Sequence, residues 1–438
     1  MPFRLFSHIV RHVTGARFPV RIPSRIPSRA GFIRGLALLA LCSTMLGACG
    51  QNAALVDSTL GGRQLVAAQL KSATPTPTAV PGDVAYTHAL DLLADRQIAS
   101  MSLDEELGQL FLADFIGSDY PANDAGMVEQ YHAGGIILYS RSLLTADQAR
   151  SMIAAAQAHA GIPLFVTLDE EGGGVDRLST IFGPHPSART MALSGSTDYT
   201  RQQGASIGAD MMSLGLNLDF APDVDVQLVT GPDLGSRNFG DDPTTVTTYA
   251  GAFLSGLQST GAVGCVKHFP GLGAASIDAH LGLPLIDRTR QQIESVELAP
   301  YRNLIATGQV QCVMDTDLLM PALDPTLPAE LSPTLINGVL RGELGYDGVV
   351  MTDALYMDGI AQRYSMPEAG VLAILAGNDV LEGPWTPDQM GAMVQALKAA
   401  LASGRLTKAR IDQSVRRILV LKMRMGLIPV PPSVTGGS

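Results

Sequence analysis

Eight short apolar runs recur along this chain, and no other feature limits its possible folds as tightly. They occupy residues 110–113, 135–138, 164–168, 216–220, 263–266, 311–314, 349–351 and 379–381. Each has the length of a strand, and the longer pieces between them carry helical periodicity, as in 145–159 and 387–401. Apolar strand cores that alternate with helices predict a parallel sheet covered on its outer side. Eight such units within about 340 residues suit a single (β/α)8 TIM-type barrel with insertions better than an open sheet.

The runs also end alike. After them come Asp114, Tyr139 with Arg141, Asp169, Asp219 with Asp223, Lys267 with His268, Asp315 with Asp317, Asp353 and Glu382. In a parallel barrel the strand C-termini converge on one face, where active sites lie. Any one of these residues could cap a helix or shape a turn. Together they predict a ring of acids and bases around one site.

Composition sets the surroundings of that site. The 438 residues are 46% hydrophobic and 16% charged, which suits a globular protein with a large core and excludes a disordered chain. The net charge is −11, yet the first 34 residues hold seven arginines and no acid. Without that segment the body is more acidic still, the opposite of the basic footprint that a nucleic acid requires. An uncharged apolar stretch follows Arg34 over residues 35–46. It is too short for a comfortable membrane span, which takes roughly 20 residues. It leads into Leu46-Gly47-Ala48-Cys49, which resembles the lipobox of bacterial lipoproteins. Residues 1–48 are therefore expected to be a lipoprotein signal peptide and Cys49 the lipidation site. The mature protein would then be extracytoplasmic and lipid-anchored to the bacterial cell membrane, with an ordinary signal peptide or a short anchor as the alternative. Residues 49–90, which include Thr74-Pro75-Thr76-Pro77-Thr78, are expected to be a flexible tether. Residues 91–428 would form the barrel and 429–438 a loose tail. Of the cysteines, Cys42 lies in the signal, while Cys265 and Cys312 sit in apolar runs. Those two are expected to be buried free thiols, with a bridge as the alternative, and no metal-binding spacing exists among the cysteines.

The strongest local motif is Lys267-His268-Phe269-Pro270-Gly271-Leu272-Gly273, followed by Asp278-Ala279-His280. Pro270 lacks an N–H and the glycines admit close backbone approach, so a tight irregular loop must follow the strand. Here the chain resembles glycoside hydrolase family 3, in its β-N-acetylglucosaminidase branch. The likeness extends over residues 101–427 and includes blocks at 103–110, 169–178, 235–243, 331–355 and 410–427.

The resemblance implies that Asp353 is a nucleophile, and chemistry supports the role. A carboxylate fixed at a strand end can attack an anomeric carbon and form a covalent glycosyl-enzyme. It also implies that His280, paired with Asp278, is the acid/base. A histidine titrates near neutrality, and a carboxylate beside it fixes the tautomer and stabilises the protonated ring. Asp169, Arg177, Arg237, Lys267 and His268 match the family's sugar-binding positions. Carboxylates accept from hydroxyls there, while Arg and Lys donate to hydroxyl or acetamido oxygens. Four positions depart from the family pattern: Glu170 stands for a glutamine, Gly174 for an arginine, and Leu272 and Asp317 for histidines.

The expected activity is that of a retaining exo-β-N-acetylhexosaminidase, acting as a monomer without a metal or organic cofactor. Its substrate would be terminal β-linked N-acetylglucosamine on cell-wall or chitin-type glycans. A β-glucosidase or glycosyl phosphorylase on the same scaffold is the enzymatic alternative. A lipoprotein that binds amino sugars without cleaving them is the other.

Overall fold

The computed structural model describes residues 84–120, 125–229 and 235–435. The expected signal peptide and Cys49 lie outside the described residues. All eight apolar runs are strands: β1 Phe111–Phe115, β2 Gly135–Leu138, β3 Phe165–Leu168, β4 Leu218–Asp219, β5 Val263–Phe269, β6 Cys312–Asp315, β7 Val349–Ala354 and β8 Val380–Glu382. Each pairs in parallel with its neighbours in sequence, and β8 returns to β1, so the sheet closes as a (β/α)8 barrel. Every residue of these strands is buried except Asp353. Continuous apolar strands buried on both faces are what a helix-covered parallel barrel demands.

The helices start where polar caps allow. Thr145 accepts the Gln148 N–H to begin Ala146–His159, and Thr386 accepts the Gln389 N–H to begin Pro387–Ala402, with Pro387 in the first turn. Their inward faces, Met152, Ile153 and Ala156 on one and Met390, Met393 and Leu397 on the other, are buried in the common core. Full burial of such a methionine or isoleucine contributes about 1.5–3 kcal/mol. Among the described residues no helix is long and apolar enough to cross a membrane.

Two expectations need correction. The tether was placed at 49–90, but Val84–Ile98 is a helix that buries Leu90, Ala94 and Ile98. Those residues recur every fourth position on one face, and Asp95 of the same helix pairs with Arg416 at 2.6 Å. The folded body therefore includes Val84. The second correction concerns Cys265 and Cys312, which are joined in a disulfide rather than free. They are register partners on β5 and β6, with Cα atoms 4.3 Å apart. Both runs had been recognised as strands, but not that they are neighbours in register. In the expected tail, Pro432–Thr435 forms one helical turn.

Candidate active site

At the C-terminal ends of the strands lies a pocket of about 220 Å³. Asp353, His280, Asp169, Arg177, Arg237, Lys267 and His268 all line it, together with Tyr139, Thr316, Tyr356 and Glu382. Asp278 completes the expected set through its bond to His280. A larger hollow of about 450 Å³ lies beside the strand beginnings, near Val310 and Val349. Its arginines are already engaged, Arg416 with Asp95 and Arg417 with Asp347. The residues expected to carry the chemistry line the smaller pocket, where the strand ends meet.

Asp353 sits near the end of β7. Its Oδ2 accepts the Thr316 hydroxyl at 3.0 Å and its Oδ1 accepts the Ala354 N–H at 2.8 Å. Around it the buried acids Asp315, Asp317, Glu330 and Glu382 all have raised pKa values, Asp317 to about 9. Burial is the main cause in each, and the negative charge of Asp353 adds to it. The arrangement leaves one carboxylate within reach of solvent and disfavours ionisation of the buried acids around it.

The loop after β5 delivers the histidine. Gly273 passes so close to its neighbour that an added Cβ would lie 1.8 Å from the Val226 carbonyl oxygen. The loop then places His280 Nδ1 at 2.8 Å from Asp278 Oδ1, and the His280 ring is largely exposed. Between them, buried Ala279 packs with Ala354 and Met357. The dyad's loop is thereby docked on the segment that follows Asp353.

A buried charge network forms the opposite wall. Lys267 Nζ lies 2.5 Å from Asp169 Oδ1 and 2.6 Å from Glu171 Oε1. Arg237 grips Glu171 with two bonds, Nε to Oε2 at 2.8 Å and Nη2 to Oε1 at 2.9 Å. Burial opposes the charges on Asp169 and Glu171, but Lys267 outweighs it, helped by Arg177 and Arg237 respectively, and holds both below the usual carboxylate range. Arg177 approaches Asp169 at 3.9 Å. His268 Nδ1 lies 2.7 Å from Asp225 Oδ2; burial pulls the His268 pKa down, and Asp225 more than restores it.

Sequence reasoning missed Glu171, Asp225, Thr316 and Tyr356. Glu171 and Asp225 hold other side chains rather than ending a strand, so the strand-end rule does not find them. Thr316 was hidden between two acids of the ring. Tyr356 follows β7 and shares a hydroxyl contact of 3.2 Å with Tyr139, which also bonds Asp114 at 3.1 Å.

Residues 102–421 match the glycosyl hydrolase family 3 N-terminal domain. The chain belongs to glycoside hydrolase family 3. The β-hexosaminidase LpqI of Mycobacterium tuberculosis is 35% identical over 406 residues, covering 89% of this chain and 97% of that protein. A solved family 3 β-N-acetylglucosaminidase from Paenibacillus superposes with a TM-score of 0.73 at 36% identity, over 76% of this chain and 65% of its own. The structure of Mycobacterium tuberculosis LpqI superposes with a TM-score of 0.69 at 35% identity, over 74% of this chain and 95% of its own. The family 3 protein described here is a glycoside hydrolase built on a single barrel.

Proposed function

We propose that this glycoside hydrolase is a retaining exo-β-N-acetylhexosaminidase that removes terminal β-linked N-acetylglucosamine. Asp353 attacks the anomeric carbon while His280 protonates the departing glycosidic oxygen. His280, oriented by Asp278, then takes a proton from the water that releases the sugar. Asp169, Arg177, Arg237, Lys267 and His268 hold the sugar. The observation that carries this reading is the isolation of Asp353. It alone among the barrel-strand residues is incompletely buried, acids with raised pKa values surround it, and the His280 loop packs on the segment beside it. The names of the relatives agree with the acetamido sugar. The pocket is compact, about 220 Å³. That favours one terminal sugar over a threaded glycan.

The natural substrates would be cell-wall or chitin-type glycan fragments outside the cytoplasm. The Cys265–Cys312 bridge supports such a compartment, since disulfides persist where conditions are oxidising. A panel of nitrophenyl glycosides with and without the 2-acetamido group tests the specificity. The N-acetylglucosaminide should exceed the glucoside by at least about 100-fold in kcat/KM, about 2.7 kcal/mol of differential transition-state binding. Comparable rates would support a β-glucosidase, and rates that depend on inorganic phosphate a phosphorylase.

A further inference from the structure

Behind the sugar-binding wall, a second polar cluster joins the hairpin after β3 to the chain that returns beneath it. The hairpin pairs Glu170–Gly172 with Val175–Asp176. The Gly173 N–H donates to the His185 carbonyl at 3.0 Å. Three side-chain atoms converge there: His185 Nδ1 lies 3.3 Å from Glu170 Oε1 and 3.5 Å from Asp176 Oδ1. The three side chains are 7%, 0% and 4% exposed respectively. These contacts are ion pairs, and among the described residues none of the three atoms has a well-directed hydrogen bond.

The far side of each group is held in place. The Leu178 N–H donates to Glu170 Oε2 at 2.8 Å, and the His185 N–H donates to Asp176 Oδ2 at 2.7 Å. His185 Nε2 lies 3.2 Å from Asp210 Oδ2. Buried polar atoms are ordinarily hydrogen-bonded, yet here the outward atoms are, while the convergent ones face one another only as ion-pair contacts. A carboxylate behind the distal ring nitrogen is the usual support of a metal-bound histidine. Tetrahedral zinc with bonds of about 2.0–2.1 Å sets its ligand atoms about 3.3–3.4 Å apart, close to the separations seen. An imidazole among the donors disfavours calcium and magnesium, which take oxygen.

We propose that Glu170, Asp176 and His185 bind one divalent transition metal ion of the zinc class. The ion, with its fourth position left to water, would staple the hairpin to the segment 183–187 and so fix Asp169 and Arg177, each adjacent in sequence to a ligand. Glu170 is one of the positions where this chain departs from its family's pattern, and the departure supplies a carboxylate. The rival is an imidazolium held by its acids alone.

The metal site rests on geometry alone; only its consequence for the sugar rests on the proposed function. The full chain, stripped with EDTA and given Zn2+ alone, should take up one ion per chain by elemental analysis. Its Tm should rise by about 4 °C or more at saturating zinc. X-ray absorption at the zinc edge should report N/O donors at about 2.0 Å with one imidazole. His185→Gln and Asp176→Asn should each weaken uptake at least about 100-fold, the upper range for loss of ligand support. Asp225→Asn, in the separate Asp223–Asp225–His268 cluster, should retain the ion. Absence of uptake by the wild-type protein overturns the proposal, as does a zinc spectrum with two imidazoles or with sulfur, neither of which needs a variant. Zinc that survives both ligand substitutions overturns it too. Uptake as described in a protein inactive on N-acetylglucosaminides would sustain the site and reject the enzymatic reading.

Discussion

At Asp353 one hydroxyl stands between two acids. Thr316 has one hydroxyl proton, and at 3.0 Å it goes to Asp353 Oδ2. The same hydroxyl also faces Asp317, donating to its Oδ1 at a longer 3.3 Å. The Asp317 pKa is nevertheless raised to about 9: burial comes first as the cause and the charge of Asp353 second, against the opposing Thr316 hydrogen bond. A neutral acid thus occupies the position where the family commonly has a histidine. For a carboxyl raised in the fold, the stability contribution is full below its ordinary pKa and is lost as pH rises toward 9. Asp317→Asn, which cannot ionise, should therefore gain on the wild type as pH rises. The gain should approach about 1.4 kcal/mol per pH unit between 5 and 8 as an upper bound. Urea unfolding at several pH values reads this, and a pH-independent difference would refute the assignment. Glu171 plays the opposite part as a buried carboxylate between two cations. Glu171→Ala should cost about 3–5 kcal/mol of stability, because it strands charge in the core, measurable by the same unfolding curves. Asp353 and Lys267 were legible in the sequence because they lie at strand ends. Glu171 and Thr316 were not, because their value lies in what they touch.

The decisive element is the loop after β5. Its glycines and Pro270 marked it in the sequence, but its docking did not, since the contact partner of Ala279 lies on β7. Ala279 is 2% exposed among Ala354 and Met357, so the dyad's position depends on a small side chain fitting there. Ala279→Leu should overpack the contact at a cost of about 1–3 kcal/mol. It should also lower kcat by about 10- to 100-fold on a natural disaccharide, as a displacement near 1 Å does. Steady-state kinetics beside a melting curve separates the two effects, and an unchanged kcat would mean that the loop is not held by this contact. The helices illustrate the limits of pattern reading in another way. Ala146–His159 was found because a cap precedes a clear apolar stripe, whereas Val84–Ile98 was absorbed into the polar stretch before it although Leu90, Ala94 and Ile98 form a stripe.

For the molecule as a whole, closure of the barrel is what turns eight scattered motifs into one site. Alternation and strand-end chemistry made both the barrel and most of the pocket readable. The disulfide was not, because pairing across strands depends on register, which alternation does not specify. Cys265 and Cys312 are 47 residues apart, a loop whose closure contributes about 4 kcal/mol in the chain-entropy view. Reduction under native conditions should lower the Tm, and alkylation with mass analysis should find both thiols blocked beforehand. We further propose anchoring through Cys49: the mature protein should partition into detergent with membranes, and Cys49→Ala should release it. The account stands or falls on the separate roles of Asp353 and His280, brought to one pocket from β7 and the loop after β5. The most direct measurement is pre-steady-state release of phenolate by His280→Ala from a dinitrophenyl N-acetylglucosaminide, a leaving group that needs no proton. The account predicts a near-normal burst, then turnover slowed by about 10²–10⁴-fold. Azide should restore that slow phase and yield the β-glycosyl azide, while Asp353→Ala shows neither burst nor rescue. A burst slowed as severely as disaccharide hydrolysis, or an α-azide product, would contradict it.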